Sequence, residues 1–390
     1  MKINFIGGFF PEDQLSDYIN STKGDFHYAA DSLQKSIISG LKINSIETKL
    51  ITIPFLTNYP NNSNIIVKGH KGSKYSSIPF INLKLIDSFS KSINLKKFII
   101  NEIPNKEDEI LLIYGMFDYF LKGIPNTYKN KISLIVPDLP AMMGGDMKKF
   151  HIKMYIKYVE YMIKKNIHKV DSFVFISKYM KDMVDTKGKP WVVVEGIYNN
   201  QINVELPSKE ESITILYTGT LAKRYGIIEL INAFSLIENQ DYKLWICGDG
   251  DGRENVENAA KKDARIKYFG IIPNNESLVL QRRATILVNP RQNNSEYTKY
   301  SFPSKTMEYL ASGTPTIMYK LDGVPEEYCK YFFSPKDNSE NSLKEKIIEI
   351  AVLKQEERDS FGKIAQNFIF ENKNPQVQVE KIINMVKDLI

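Results

Sequence analysis

Short apolar runs rich in β-branched and aromatic residues alternate with longer stretches of helical periodicity along the whole chain, and this alternation leaves few folds open. A repeated strand and helix pattern of this kind makes parallel sheets covered by helices on both faces. The first series reads as strands at Lys2 to Ile6, Thr48 to Ile53, Ile110 to Tyr114, Ile132 to Val136, Ser172 to Ile176 and Trp191 to Val194. The second reads as strands at Ile213 to Tyr217, Lys243 to Cys247, Arg265 to Phe269, Ile286 to Asn289 and Thr316 to Tyr319. Two such series predict an α/β fold of two Rossmann-like domains, with parallel sheets facing across a cleft and ligands at the carboxyl ends of the strands. At 390 residues the chain suits two cores rather than one. The polar, aperiodic stretch Tyr198 to Ser212 marks the join, giving domains of 1–200 and 201–390, with the last helix expected to pack back on the N-terminal domain.

Hydrophobic residues at 43% and charged residues at 25% describe an ordinary globular protein. The start, Met1 to Phe10, lacks a charged region ahead of a long apolar core, and no long apolar run follows, so a cytoplasmic protein without a membrane span is expected. Cys247 and Cys329 give neither a metal spacing nor a disulfide framework, and Cys247, which ends an apolar strand, reads as a core residue. Residues 1–205 hold 27 Lys, no Arg and 20 acidic residues, a balance of +7 that is too dilute for a nucleic-acid footprint. All seven arginines lie in the second half. Guanidinium is a permanently charged, bidentate phosphate ligand, so the segregation points to a phosphate-bearing ligand handled there.

One stretch, Lys299-Tyr-Ser-Phe-Pro-Ser-Lys-Thr-Met-Glu-Tyr-Leu-Ala-Ser-Gly-Thr-Pro-Thr-Ile317, reads as a loop, a short helix and a strand. Pro303 suits the first helical turn, Gly313 the residue past its end, and Pro315 stops any continuation, so the helix runs from about Pro303 to Ser312. Met307, Leu310 and Ala311 form its buried stripe, while Lys305, Glu308 and Ser312 are expected to look outward. First-turn N–H groups around Ser304, Lys305 and Thr306 make an anion site, with Glu308 one turn deeper for ribose hydroxyls. A solvated Lys–Glu pair on a surface helix is the plainer alternative. Gly219, after the first strand of the second unit, and Gly8, after the first strand of the chain, each lie where a ligand comes close to backbone or where a tight turn is needed. Gly248, Gly250 and Gly252 miss the dinucleotide fingerprint, because the third glycine comes one position early.

Tyr217-Thr-Gly-Thr-Leu-Ala-Lys-Arg-Tyr-Gly226, Leu244-Trp-Ile-Cys-Gly-Asp-Gly250, Ile266-Lys-Tyr-Phe-Gly270, Leu287-Val-Asn-Pro-Arg291 and the Phe302 to Pro315 stretch follow in fixed order. From about residue 210 onward this series resembles the C-terminal half of the family 4 retaining glycosyltransferases, enzymes of GT-B fold that use a nucleotide-sugar donor. The resemblance implies a diphosphate leaving group, and positive charge near the departing oxygen is then the largest service the chain can offer. Lys223, Arg224, Arg291 and Lys305 are the candidates. In that family an Arg follows the first glycine and a Lys precedes the next one; Thr220 and Tyr225 hold those places here, and the neighbouring Lys223 or Arg224 is the substitute. The family's paired glutamates are represented by Glu308 alone, since Tyr300 stands at the earlier position, and either Tyr300 or Glu296 is left to touch the transferred sugar. Gly270 and Ile272, with Ile271, are implied in holding the base.

In the first unit Val136-Pro-Asp-Leu-Pro140 follows a strand, and the His of the family's His-Asp pair is replaced by Pro137. Asp138 remains, either to orient an acceptor hydroxyl and accept its proton or as a helix cap. His27, in the loop opening a helix to Leu41, is a candidate for sugar or acceptor contact. The segment 147–169 sets seven lysines among aromatic and aliphatic residues at helical spacing, which suits either the anionic inner face of a membrane or a core helix with a solvated basic side. No Asp-x-Asp pair or His cluster that would hold a metal for a diphosphate is found, so no metal and no cofactor are expected. The resemblance implies transfer of a sugar from a nucleotide-sugar donor to a polyprenyl-linked or oligosaccharide acceptor, with no nucleic-acid partner expected, and the segment Asn289 to Glu308, including Thr298 to Lys305, is similar to family members that build bacterial surface polysaccharides, which implies that branch. A sugar-nucleotide 2-epimerase and a non-catalytic nucleotide-sugar-binding subunit share the same architecture.

Overall fold

The computed structural model describes residues 1–23, 27–84, 86–139, 150–199 and 208–390. Contacts divide the chain into two compact units, 1–197 with 375–390, and 198–374. The boundary thus differs from 200/201 and the second unit does not run to the C-terminus. The helix Pro375–Lys387 buries Val379, Ile382, Ile383 and Val386 in the same core as Ile3, Phe5, Ile37 and Leu41 of the first unit. It lies against the helix Tyr28–Ile43 at Gly40, where a Cβ would come within 2.3 Å of Val379 Cγ2.

The first unit holds an eight-stranded sheet in the order β10-β9-β8-β7-β1-β2-β5-β4. Its strands are β1 (Lys2–Gly7), β2 (Glu47–Thr52), β4 (His70–Lys71), β5 (Ser76–Ser77), β7 (Glu109–Tyr114), β8 (Ile132–Val136), β9 (Ser172–Phe175) and β10 (Trp191–Val193). All pairs are parallel except β4 with β5. The central β7 is buried at every residue, as a parallel strand with helices on both faces requires. The six strands expected from sequence are present. The two-residue strands β3 (Ile66–Val67), β4, β5 and β6 (Phe80–Ile81) were not foreseen, because a strand that short has no readable period.

The second unit is a five-stranded, all-parallel sheet in the order β13-β12-β11-β14-β15. Its strands are β11 (Ile213–Thr218), β12 (Tyr242–Cys247), β13 (Ile266–Tyr268), β14 (Ile286–Asn289) and β15 (Thr316–Met318). The central position of β11, with chain crossovers on either side, puts the loops after β11 and β14 next to one another at the carboxyl edge. Ile215, Leu230, Phe234, Leu244, Ile286 and Ile347 fill the core on one side of this sheet.

Candidate functional site

Three strand ends of the second unit are tied together by backbone hydrogen bonds. The Gly219 amide donates to the Cys247 carbonyl at 3.0 Å, Leu221 to Asp249 at 2.8 Å, Gly248 to Gly270 at 2.8 Å and Gly252 to Leu221 at 2.7 Å. A Cβ on Gly248 would lie 1.8 Å from the Gly219 carbonyl oxygen, so this layer can form only with glycine at that place. Cys247 is buried within it, and burial pushes its thiol up to about 12, which removes it as a nucleophile at neutral pH.

The helix of the Lys299 to Ile317 stretch spans Ser304–Ala311, with Pro303 just before the first turn rather than in it and Gly313 left-handed (φ 77°) past the end. Tyr309 locks this helix to β11. Its fully buried hydroxyl accepts from the Thr218 amide at 2.7 Å and donates to the Thr218 carbonyl at 3.0 Å. Burial holds that phenol well above its ordinary range, so it remains a donor. On the next turn-face Lys305 Nζ meets Glu308 Oε1 at 2.5 Å, and the buried Gln281 donates to the same oxygen. Gln281 also reaches Thr218 Oγ1 at 3.3 Å, so the carboxylate is fixed to the end of β11 through a neutral side chain. The side chain of Lys305 lies beside Gly219, its Cγ 3.9 Å from where a Cβ there would stand.

Two expectations for this helix are corrected. Ser312 does not face outward with Lys305 and Glu308: it is buried, donates to the Tyr309 carbonyl at 2.6 Å and accepts from the Thr314 amide at 3.1 Å, serving as a C-terminal cap. The Thr306 amide is not open to an anion either, since it donates to the Pro303 carbonyl at 2.9 Å. Ser304 is exposed at the first turn and Lys305 is half-buried.

A second cluster joins the loops after β11 and β14. Arg224 sits in the 3-10 turn Lys223–Tyr225, which closes on Gly226 in a left-handed conformation (φ 86°). A Cβ on Gly226 would be 2.2 Å from the Pro290 carbonyl oxygen, so this turn is pressed onto the residue before Arg291. The Arg291 guanidinium lies over the rings of Tyr225 and Tyr297, 5.0 and 4.7 Å from their centroids, and Arg224 lies over the same two rings at 5.0 and 5.8 Å. Arg291 is only 8% exposed, and its Nη2 donates to Ser301 Oγ at 2.9 Å while Nε has no partner among the described residues. Lys223 differs: its amide donates to Asp251 Oδ1 at 2.8 Å and its side chain is exposed, so Arg224 is the basic residue of this turn that is gathered into a cluster.

The remaining residues of the second unit are less concentrated. Ile272, after the left-handed Gly270 (φ 68°), packs against the cluster of Leu216, Cys247, Ala284, Leu287 and Tyr309, while Ile271 is exposed. Tyr300 is half-buried and Glu296 exposed at the two ends of the 3-10 turn Glu296–Tyr300, which also carries Tyr297. In the first unit Gly8 serves the protein itself: its amide donates to Gln34 Oε1 at 2.7 Å, and a Cβ would strike the Phe55 ring at 1.9 Å. His27 is exposed just before the helix Tyr28–Ile43; residues 24–26 of its loop lie outside the described residues. Asp138 follows β8 near the buried Tyr114. Although solvent reaches part of it, the surrounding protein displaces enough water to push its carboxyl up to about 6.

Of the segment 147–169, residues 147–149 lie outside the described residues and a helix spans Phe150–Asn166. Met154, Tyr158 and Tyr161 are 57%, 49% and 61% exposed on one side of it. Among the described residues no helix is long and apolar enough to cross a membrane, and no group of three or more His, Cys, Asp or Glu could hold a metal ion. Sequence reasoning missed Thr218, Gln281, Tyr297 and Tyr309. Each acts through a partner distant in sequence, and Tyr309 stood outside the buried stripe of Met307, Leu310 and Ala311 that spacing picked out.

Residues 199–368 match the family described as Glycosyl transferases group 1. Among solved structures the chain is similar to sucrose-phosphate synthase from Thermosynechococcus elongatus, at 14% identity and a TM-score of 0.65 over 100% of this chain and 99% of that one. It is similar to the apo form of the lipopolysaccharide outer core galactosyltransferase WaaB, at 17% identity and a TM-score of 0.61 over 100% of both chains. A variant of S. aureus TarM in complex with Fondaparinux, alpha-GlcNAc-glycerol and UDP aligns at 10% identity and a TM-score of 0.62 over 99% of both. At these identities the likeness is one of fold. No curated protein matches the sequence.

Proposed function

We propose that this chain, which has the GT-B fold and matches the family Glycosyl transferases group 1 over residues 199–368, is a glycosyltransferase that moves a sugar from a nucleotide-sugar donor to a hydroxyl of a lipid-linked or growing bacterial surface polysaccharide, with retention of anomeric configuration. The observation that carries this reading is a set of three cations, Arg224, Arg291 and Lys305, set around the carboxyl ends of β11 and β14, with Glu308 paired to Lys305. A departing nucleoside diphosphate develops negative charge as the sugar–oxygen bond breaks. Cations already in place stabilise that charge without reorganising. Lys305 and Arg224 are assigned to the diphosphate. Glu308 keeps Oε2 for ribose hydroxyls, while Oε1 is held by Lys305 and Gln281. Gly270 and Ile272 are assigned to the base and Tyr300 to the transferred sugar.

These side chains take the place that a divalent ion would fill, so the reading asks for no metal. With no carboxylate nucleophile assigned, the acceptor hydroxyl attacks from the face the diphosphate leaves. Asp138 is assigned to orient that hydroxyl or take its proton, in keeping with a carboxyl pushed up to about 6. One similar structure is a complex with UDP and another is a lipopolysaccharide outer core galactosyltransferase, which supports a nucleotide donor and a polysaccharide acceptor. A lipid-linked acceptor gives a purpose to the outward side of Phe150–Asn166, where exposed Met154, Tyr158 and Tyr161 stand among Lys153, Lys157, Lys164 and Lys165. Such a face suits the anionic inner surface of a membrane, with lysines reaching the headgroups.

The deciding experiment is the melting midpoint of the protein against UDP, dTDP, GDP, ADP and their monophosphates. A ligand at a hundredfold its Kd stabilises by about 2.7 kcal/mol, worth a few degrees here. One diphosphate raising the midpoint clearly more than its monophosphate supports the reading and names the base. A cooperative transition that none of them moves overturns it.

A further inference from the structure

We infer that Tyr297 is a positioning residue: it sets the guanidinium groups of Arg224 and Arg291 over a shared pair of rings as a clamp for two adjacent phosphates, a step that rests on the donor reading above. Four other arginines of the unit have evident structural partners. Arg253 pairs with Glu257 and Asp249, Arg265 with Asp263, Arg283 with Glu210, and Arg358 donates to the Ala351 and Leu353 carbonyls. Arg224 and Arg291 face no carboxylate among the described residues; their partners are Tyr225, Tyr297 and Ser301. Guanidinium keeps its charge at any pH at which the protein folds, so two of them over the same rings repel one another. The ring faces offset part of that repulsion, and an anion taken between two planar forks removes the rest.

Tyr297 rather than Tyr225 is the residue that decides the geometry. Tyr225 adjoins Arg224 in sequence and would accompany it anywhere. Tyr297 belongs to the loop after β14, and Ser301 ties it to Arg291, donating to the Tyr297 carbonyl at 3.2 Å while accepting from Arg291 Nη2. Its ring is therefore fixed beside the buried guanidinium and holds the otherwise exposed Arg224 there. Two forks side by side match a diphosphate, whereas a single phosphate engages one. This also accounts for Tyr225 standing where the resembled family carries a lysine: the cation is supplied by Arg224, and the tyrosine becomes part of its seat.

The test uses the full chain and inorganic pyrophosphate and phosphate as probes, with binding measured by calorimetry for wild type, Tyr297→Phe, Tyr297→Leu and Tyr297→Ala. Wild type and Tyr297→Phe should bind pyrophosphate alike, and more tightly than phosphate. Tyr297→Leu and Tyr297→Ala should each lose about tenfold for pyrophosphate and little for phosphate, with an unliganded melting midpoint close to wild type. Leu keeps bulk without a π face, so it still answers the question should Ala fail to fold. Equal pyrophosphate affinity in wild type and Leu, a Phe variant as weak as Leu, or no pyrophosphate binding by wild type would each overturn the inference. The expected pattern together with no binding of any nucleoside diphosphate would keep the clamp and remove the donor reading.

Discussion

Replacing Tyr309 by Phe isolates one hydroxyl that holds the helix Ser304–Ala311 to the central strand. The β11–β14 ladder ends at the pair Leu216 with Leu287, so Thr218, two residues later, has no ladder partner on β14. The Tyr309 hydroxyl takes over both roles, accepting from the amide and donating to the carbonyl. Phe keeps the ring in the cluster with Leu216, Cys247, Ala284 and Leu287 but leaves one buried N–H and one buried C=O without partners. Each unpaired group costs about 1–3 kcal/mol. With the Thr218 hydroxyl still met by Gln281, the total is about 3 kcal/mol. For a unit spanning Tyr198–Asn374, each kcal/mol lowers the midpoint by about 2–4 °C, so the expected drop is about 6–12 °C. Differential scanning calorimetry with and without the stabilising nucleoside diphosphate identifies the transition of this unit, since two units need not melt together. The variant should also bind that nucleotide more weakly, because Lys305 and Glu308 ride on the displaced helix. A drop smaller than about 1 °C would show that the hydroxyl is not the strand's substitute partner.

Other expectations follow from the same contacts. Arg224→Ala and Lys305→Ala, made separately, should each lower turnover by about 10²–10³, as for loss of one charge at a developing anion, with little change in melting midpoint; small and equal losses in a turnover assay would contradict their assignment. Asp138, pushed up to about 6, is protonated below that pH and charged above it, so kcat/KM should climb through about pH 6 and then level. Asp138→Asn should lose that climb, and a variant with an unchanged pH profile would exclude the residue from proton handling. Gly226→Ala forces an alanine to φ 86° against the Pro290 carbonyl, so urea unfolding should show a loss of at least about 1–2 kcal/mol, and unchanged stability would contradict the described turn. The double variant Tyr158→Ser with Tyr161→Ser should sediment less with vesicles containing phosphatidylglycerol than the wild type does; wild-type protein that ignores such vesicles would remove the membrane contact.

Much of this protein was legible from its sequence, for reasons of period and position. Parallel strands covered by helices on both faces must be apolar throughout, and the runs at Ile110 to Tyr114 and Ile213 to Tyr217 announced themselves in that way. Gly219 and Gly313 marked places where the backbone turns left-handed or comes close to another segment, which few other residues tolerate. Lys305 and Glu308 were legible because both belong to one helix, where spacing alone puts them within reach of each other.

What depended on residues far apart in sequence was decided by tertiary structure. Tyr309 lies outside the stripe of Met307, Leu310 and Ala311, and nothing local says that its hydroxyl completes a strand. Ser312 obeyed the outward spacing of Lys305 and Glu308 but was turned inward by the cap at the helix end, where helical periodicity no longer fixes direction. Lys223 and Arg224 were indistinguishable in a row of two; only packing of Gly226 on Pro290 chose Arg224, by bringing it to Tyr297. That the last helix packs back on the first unit was expected; the seat it takes there, Gly40 against Val379, was decided by the fold. Periodicity fixes the elements because backbone geometry repeats along the chain, whereas side-chain partners are set by where the sheet order β13-β12-β11-β14-β15 brings the loop ends.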